Sequence, residues 1–226
     1  MFPATFFFSP LTGNPFPRFL STVTIYGEGM GRPPKFEERN EEIMQAFETC
    51  VLRKGLPATT LADVAEESGL PRSLVRYFMG NRDEMVDRLI ERLMRIAQAR
   101  LDAIRDEAGD MSVARLLDAC FGVVFADQRS NALMGELWYL ARTDAHIRER
   151  LNGVYAYALG LLTEAFGREM PGLPAAERDA AAFAIVSLAL GETALNDFGL
   201  TMPEGASLRA QAAVIVARLQ ERMKTC

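Results

Sequence analysis

Apolar residues recur every three or four positions along most of the chain from Lys35 onward, a spacing that places them on one face of an α-helix. The first such stretch ends at Gly55, a residue typical of helix C-termini. Its apolar stripe consists of Ile43, Met44, Phe47, Val51 and Leu52. The pattern predicts an all-α protein whose helices bury one face each.

Capping residues mark where the next two helices begin and end. Thr60, followed three residues later by Asp63, resembles a capping box, although Glu or Gln is the usual partner. The short helix that it opens closes at Gly69. Pro71 suits the first turn of a third helix, because the N–H that proline lacks would have no intrahelical partner there. Two short helices joined by a tight turn are therefore predicted between Thr60 and Phe78.

A further cap, Asn81 with Glu84, predicts a long helix that runs to about Glu107. The order of helix, tight turn and helix before it is that of a helix-turn-helix, in which the second helix lies in the major groove of DNA. We therefore expect a three-helix DNA-binding domain over residues 30–82, followed by a linking helix over residues 83–107.

Arginines cluster around the second helix of this predicted motif. Arg72 and Arg76 are four residues apart and share a face, from which guanidinium groups reach guanine edges or phosphates. Tyr77 adds a phenol that can donate to phosphate. Arg82 lies in the first turn of the next helix, where backbone N–H groups also favour a phosphate. Spacing alone leaves open the plainer interpretation, a set of solvated surface arginines.

The segment TTLADVAEESGLPRSLVRYFMGNRDEM, residues 59–85, resembles the DNA-binding segment of TetR-family transcriptional regulators, particularly their BetI-like branch. The resemblance covers about residues 31–90. Its motif residues are Thr59-Thr60, Val64-Ala65, Gly69, Tyr77-Phe78 and Gly80-Asn81-Arg82. It implies a homodimeric repressor that binds a palindromic operator in double-stranded DNA and responds to a small-molecule effector. It also implies that Thr60 and Arg82 contact phosphate, and that the groove-facing residues are Arg72, Ser73, Arg76 and Tyr77.

Three positions depart from the pattern of the family. Arg76 stands where many members have Tyr, and Ser73 stands where Gly is common. Pro71 replaces the Ser that usually caps the second helix, which leaves that cap unexplained. Because the first two changes lie on the groove-facing side, we expect the operator sequence to differ from those of relatives.

The charge of the predicted DNA-binding domain is not that of a polycation. Residues 30–82 contain eight Lys or Arg and eight Asp or Glu, so their net charge is zero and the −5 of the chain lies in residues 83–226. Binding should therefore depend on a few placed arginines and on dimerisation. Arg32 and Lys35, in an arm stiffened by prolines, are candidates for the adjacent minor groove. A flexible arm that only adds solubility is the alternative.

Residues 83–226 are predicted to form a ligand-binding and dimerisation domain. Asp110, Ser130 and Thr143 each precede an apolar-periodic run, as N-caps do, and about five helices follow residue 110. The segments 180–191 and 210–219 are rich in Ala, Val, Ile and Leu. In a protein of the resembling family they would pair with a second copy as a four-helix interface; internal core helices are the alternative.

Aromatic and sulfur-containing residues mark a predicted effector pocket between these helices. The candidate wall residues are Phe121, Phe125, Met134, Trp138 and Tyr155, with Glu192 as a polar group that could orient a ligand. Such residues would suit an amphiphilic or cationic effector. The alternatives are that the aromatic stripes are plain core and that Glu192, like Asn196, faces water.

Other classes of protein find little support in the sequence. The three cysteines are far apart, which argues against a disulfide framework and for a reducing cytoplasm. We find no metal-binding spacing, no phosphate loop and no nucleophile elbow, and we expect no catalytic residue, cofactor or membrane span. Residues 1–29, rich in Phe and Pro, are predicted to be a disordered tail, or else a partner-binding arm. The competing function is a helical ligand-binding or interaction protein that has lost specific DNA binding.

Overall fold

A computed structural model describes residues 34–104, 111–124 and 127–225 of the protein, with side chains from Phe36 onward. These residues form helices and no strand, so the predicted all-α fold class is confirmed. The helices are α1 Pro34–Lys54, α2 Leu61–Ser68, α3 Arg72–Met79, α4 Arg82–Asp102, α5 Val113–Asp118, α6 Gln128–Ala141, α7 Ala145–Glu169, α8 Ala175–Asp197 and α9 Leu208–Thr225. A π-helical segment, Ala119–Val123, continues α5.

The capping box that begins α2 is present as predicted. Asp63 N donates to Thr60 Oγ1 at 3.3 Å, and Thr60 N donates to the Asp63 carboxylate at 2.7 Å. The helix ends at Gly69, whose φ of 66° lies in the left-handed region that glycine adopts without strain. These local bonds fix the tight turn between α2 and α3 and hence the angle between these two helices.

The junction between α3 and α4 depends on a second glycine. Gly80 has a φ of 70°, and a Cβ there would lie 1.7 Å from Glu84 Oε2. That carboxylate accepts from Asn81 N at 2.7 Å in the predicted capping box of α4, so the cap and the glycine require each other. The helix ends at Asp102 and not near Glu107, because its last turn tightens with Ile104 N donating to Leu101 O.

The caps of the later helices differ from the predicted ones by one to three residues. Ser112, Asp127 and Asp144 are the N-caps of α5, α6 and α7. Ser130 lies inside α6 and Thr143 precedes the cap, whereas Asp110 is outside the described residues. In α6 and α7 the cap is an aspartate whose carboxylate accepts from N–H groups of the first turn: Asp144 Oδ1 accepts from His146 N at 2.9 Å and Ile147 N at 3.2 Å.

Two apolar cores run through the described residues. The first joins α1, α2 and α3 to the beginning of α4 and also includes Leu133 and Leu137 of α6 and Ile147 of α7. The second unites the end of α4 with α5, α7, α8 and α9 around Phe166 and Ile185. Packing therefore continues across residues 82 and 83, and the domain boundary placed there stays a prediction. None of the helices in the described ranges has the length and apolar character that crossing a membrane requires.

Candidate DNA-binding surface and effector cavity

Helix α3 has one buried face and one exposed face, as a groove-reading helix requires. Val75, Phe78 and Met79 are buried and hold the helix against the rest of the domain. All four residues predicted to face the groove are exposed: Arg72, Ser73, Arg76 and Tyr77. Arg82, the first residue of α4, is also exposed.

The basic residues of the predicted DNA-binding domain divide into two groups according to their partners. Arg39 pairs with Glu42 and Arg53 with Glu67, each at 2.7 Å, and Lys54 pairs with Asp63. Arg72, Arg76 and Arg82 form no ion pair or side-chain hydrogen bond within the described part of the chain. The zero net charge of residues 30–82 thus conceals a local positive surface made by three uncommitted arginines.

Tyr77 is held by an aromatic contact that the sequence analysis missed. The ring of Phe36, from α1, lies 4.6 Å from the ring of Phe78 and 6.5 Å from that of Tyr77, measured between centroids. Tyr77 nevertheless remains 72% exposed. Its phenol is therefore positioned by packing while its edge stays open to a partner.

Thr60 is exposed, but its hydroxyl already has a partner. Thr60 Oγ1 donates to Asp63 Oδ2 at 2.6 Å, so a phosphate contact would require that proton to turn away. The Asp63 carboxylate also pairs with Lys54, and these bonds hold the pKa of Asp63 well below its ordinary value, with the Lys54 contact first among them. Arg32 and the side chain of Lys35 lie outside the described residues, so their predicted DNA contacts stay predictions.

A cavity of about 120 Å³ lies between α4, α5 with its π-helical segment, α6 and α7. Of the predicted pocket residues, Met134 and Tyr155 line it. Phe121, Trp138 and Glu192 are not among its wall residues, and Phe125 is outside the described residues. The wall residues that could not be picked out from the sequence include Leu93, Met94, Ile96, Gln98, Arg100, Leu116, Asn131, Tyr157 and Leu162. Helix amphipathicity marks these positions as inward-facing but does not distinguish a cavity wall from solid core.

Trp138 lies behind the wall and contacts it. Trp138 Nε1 donates to Tyr155 Oη at 2.6 Å, and the two ring centroids are 6.2 Å apart. Burial raises the pKa of the Tyr155 phenol, so this group stays neutral at physiological pH. On α8 the wall residue is Val186; Glu192 is six residues further along, or about 9 Å at the rise of an α-helix.

A buried ionic cluster connects α1 to two helices of the remainder of the chain. Glu48 is only 4% exposed, and its carboxylate accepts from Arg92 Nε of α4 at 2.5 Å and from Arg129 Nε of α6 at 3.1 Å. Arg92 also donates from both terminal nitrogens to Glu41. These bonds satisfy a carboxylate that would otherwise be costly to bury.

Helix α6 contacts the predicted DNA-binding domain at one further point, and another face of the same helix lines the cavity. Glu136 Oε2 accepts from the backbone N–H of Leu56, in the turn after α1, at 2.9 Å. Ser130, Asn131 and Met134 line the cavity from the same helix. The N-cap Asp127 pairs at 3.1 Å with Arg100, a wall residue on α4. A shift of α6 would therefore change both its contacts with residues after α1 and the shape of the cavity.

Part of the chain is similar to known helix-turn-helix transcriptional regulators. It is 42% identical over 55 residues to the HTH-type transcriptional regulator YfiR of Bacillus subtilis, which covers 24% of this chain and 27% of that protein. It is 29% identical over 100 residues to TtgR of Pseudomonas putida (43% of this chain, 48% of that protein). To BetI of Burkholderia mallei it is 28% identical over 102 residues (45% and 52%). The chain thus spans about a quarter to a half of the length of these relatives, and it matches no protein-family model.

Solved structures of transcriptional regulators share the fold over most of the chain. A TetR transcription regulator from Haloarcula marismortui superposes with a TM-score of 0.62 at 18% identity, over 80% of this chain and 97% of that one. A transcriptional regulator from Saccharomonospora viridis, solved in complex with choline, gives 0.59 at 16% identity, over 81% and 96%. The fold is that of the TetR regulators, and the resemblance predicted from residues 59–85 is confirmed.

Proposed function

We propose that the protein is a DNA-binding transcriptional regulator, and specifically a homodimeric repressor that binds a palindromic operator and releases it in response to a small molecule. The observation that carries this proposal is the division of the basic residues. Within the described side chains of residues 36–82, the basic residues without an internal partner are Arg72, Arg76 and Arg82, which lie on and beside the exposed face of α3. Such a function places the protein with the DNA, in the cytoplasm.

The proposed roles follow from where each group points. Arg72, Ser73, Arg76 and Tyr77 share the exposed side of α3 and would read the major groove, where arginine pairs with guanine O6 and N7. Arg82 begins α4, whose N-terminal N–H groups and dipole favour a phosphate, and Thr60 at the start of α2 is a second candidate for a phosphate. Arg32 and Lys35 would extend the contact into the minor groove.

A footprinting experiment on the DNA beside its own gene tests this proposal. We expect protection of two half-sites, lost in the triple variant Arg72→Ala, Arg76→Ala, Arg82→Ala. The control variant Arg53→Ala removes a basic residue that already pairs with Glu67. A wild-type protein that binds this DNA no better than random duplex would favour the competing function, a helical ligand-binding or interaction protein without an operator.

The proposed dimer would form through α8 and α9. Exposed small and apolar residues are spaced three or four apart on the outer face of each helix. On α8 they are Ala176, Ala180, Phe183 and Ser187, and on α9 they are Ala210, Val214 and Ala217. Phe183 is 61% exposed and Val214 44%. Exposed apolar residues grouped on one surface, as on these two helices, are typical of protein–protein interfaces. Light scattering should give twice the monomer mass, and Phe183→Glu should give the monomer, whereas Tyr139→Glu on exposed α6 surface should not.

The proposed effector site is the cavity beside α6. A molecule bound there would contact Ser130, Asn131 or Met134 and could shift α6, which carries Arg129 and Glu136 to the DNA-binding domain. The movement would change the separation of the two α3 helices in the dimer. Operator affinity would then depend on whether the cavity is filled.

A further inference from the structure

The size of the cavity limits what it can hold. Its volume is about 120 Å³, close to the roughly 150 Å³ of an engineered apolar cavity that binds benzene. A ligand that fits without rearrangement therefore has about six to ten non-hydrogen atoms. Long acyl chains and multi-ring molecules would extend beyond this space through its open side.

The wall of the cavity carries no unbalanced charge. None of its described residues is Asp, Glu, Lys or His, and its arginine, Arg100, is already paired with Asp127 and donates to Val124 O at 3.2 Å. Burial raises the pKa of the Cys120 thiol to about 11, so this wall residue is uncharged at physiological pH. A charged ligand would lose its hydration without gaining a free counter-ion.

Three more polar residues of the wall have protein partners. Tyr157 Oη donates to Gln98 Oε1 at 3.0 Å, and Gln98 Nε2 donates to Asp102 at 2.8 Å. Ser130 Oγ donates to Asp127 at 2.5 Å. Most of the remaining wall is aliphatic, so binding in it is driven by the removal of apolar ligand surface from water.

Sulfur atoms and aromatic rings give the wall a preference in shape. Met94, Cys120 and Met134 bring three sulfur atoms to the cavity, and Tyr155 and Tyr157 bring two rings. Thioethers and aromatic rings each interact favourably with another aromatic ring. A flat ring uses these contacts better than an aliphatic chain of the same volume.

We propose that the cavity binds a small uncharged aromatic compound with a single ring, and that it discriminates against charged compounds of the same shape. This inference rests on the proposed function only for the consequence of binding; the choice of ligand follows from the cavity itself. It replaces the amphiphilic or cationic effector expected from the sequence, since Glu192, the carboxylate on which that expectation depended, is not in the wall.

Two pairs of probes matched in shape test the proposal by calorimetry with the full chain. Ethylbenzene and benzylammonium differ in charge but hardly in size, and so do nitrobenzene and benzoate. We expect each neutral member to bind at least tenfold more tightly than its charged counterpart. Tighter binding of benzylammonium would show that the tyrosine rings act as a cation site, and tighter binding of benzoate would show that Arg100 leaves Asp127; either result would overturn the proposal.

Substitution on α4 locates the binding. Ala97 lines the cavity, whereas Ala99, two residues later, is exposed and does not. Ala97→Leu should abolish ethylbenzene binding, and Ala99→Leu should leave it unchanged. A second readout needs no variant: with methyl-labelled methionine, ethylbenzene should shift the Met94 and Met134 signals by ring current and leave that of Met223, on α9, in place.

The outcomes separate this inference from the proposed function. If ethylbenzene binds and shifts Met94 and Met134 but leaves operator affinity unchanged, the ligand class stands and the effector role fails. If operator binding is intact and neither ethylbenzene nor nitrobenzene binds at millimolar concentration, the ligand class is wrong and the DNA-binding function stands.

Discussion

Glu48 of α1 and Arg129 of α6 form an ion pair with an N–O distance of 3.1 Å, although 81 positions separate them along the chain. The glutamate is buried and shared with Arg92, whereas the Arg129 side chain is 45% exposed. The pair ties the DNA-binding domain to the helix whose other face lines the cavity. It can therefore break and re-form as α6 moves, while Arg92 keeps the buried carboxylate satisfied.

The first prediction is that Arg129→Ala weakens the effect of ligand on operator binding. Ligand and DNA should each still bind, because Arg129 contacts neither the cavity wall nor α3. The ratio of operator affinities without and with ethylbenzene should fall by about 2- to 30-fold, the range of coupling changes of about 0.5 to 2 kcal/mol. Fluorescence anisotropy of labelled operator, titrated at zero and saturating ethylbenzene, measures this ratio.

The matched control for Arg129→Ala is Arg142→Ala. Arg142 follows the other end of α6, is exposed and has no ion pair or side-chain hydrogen bond among the described residues. The substitution Arg142→Ala removes the same charge as Arg129→Ala but leaves the contact between α6 and α1 intact. An equal loss of ligand response in both variants would mean that net charge, and not the contact with Glu48, is responsible.

The second prediction concerns acid stability. The pKa of Asp63 is lower in the folded protein than its ordinary value of 3.8, first because of Lys54 and then because of Thr60. A carboxyl group of this kind stabilises the fold above its unfolded pKa, and that stabilisation is lost as the pH falls toward the folded value. The free energy of unfolding should therefore decrease below about pH 4, and Asp63→Asn should flatten this dependence.

Urea unfolding followed by circular dichroism at a series of pH values checks this slope. Asp197→Asn serves as the control, because Asp197 is exposed at the end of α8 and has no partner in the described part of the chain. If Asp63→Asn and the wild type lose stability with the same slope, the bonds to Lys54 and Thr60 do not persist in solution.

The features that could be predicted from the sequence are those held by local interactions. Thr60 with Asp63 and Asn81 with Glu84 are each three residues apart, so both capping boxes could be predicted from spacing alone. The exposed face of α3 could also be predicted, since the apolar residues Val75, Phe78 and Met79 define the opposite face. Whether those exposed residues bind DNA is not tested by the fold.

The long-range features could not be predicted in the same way. Glu48 is a charged residue beside the apolar stripe of α1, and nothing near it in sequence indicates burial between Arg92 and Arg129. The cavity likewise depends on how α4, α5 with its π-helical segment, α6, α7 and α8 meet. Trp138 and Tyr155 were both predicted to be wall residues. In the structure Tyr155 lines the cavity and Trp138 lies behind it, with the indole N–H donating to the phenol oxygen.

The third prediction separates base readout from phosphate contact. Arg76→Ala should cost about 1 to 3 kcal/mol of operator binding and relax the preference at one base pair, if its guanidinium pairs with a guanine edge. Arg82→Ala should weaken all DNA sequences alike and lower the salt slope by about one per half-site. A panel of operators with single base-pair changes, titrated at several salt concentrations, distinguishes the two roles; indistinguishable variants would contradict the division.

The last prediction concerns reciprocity between operator and ligand. One DNA-binding domain of zero net charge makes few phosphate contacts, so tight binding requires two domains whose α3 helices are about 34 to 36 Å apart on one duplex. If ethylbenzene shifts α6 and α4 so that this spacing no longer fits, operator DNA must weaken ethylbenzene binding by the same factor. Calorimetry with and without saturating operator measures this factor, and Ala97→Leu should show no ethylbenzene binding in either condition. Equal affinities would exclude induction through this cavity. Tighter binding in the presence of operator would instead make the ligand a co-repressor, because it would then favour the spacing that fits DNA.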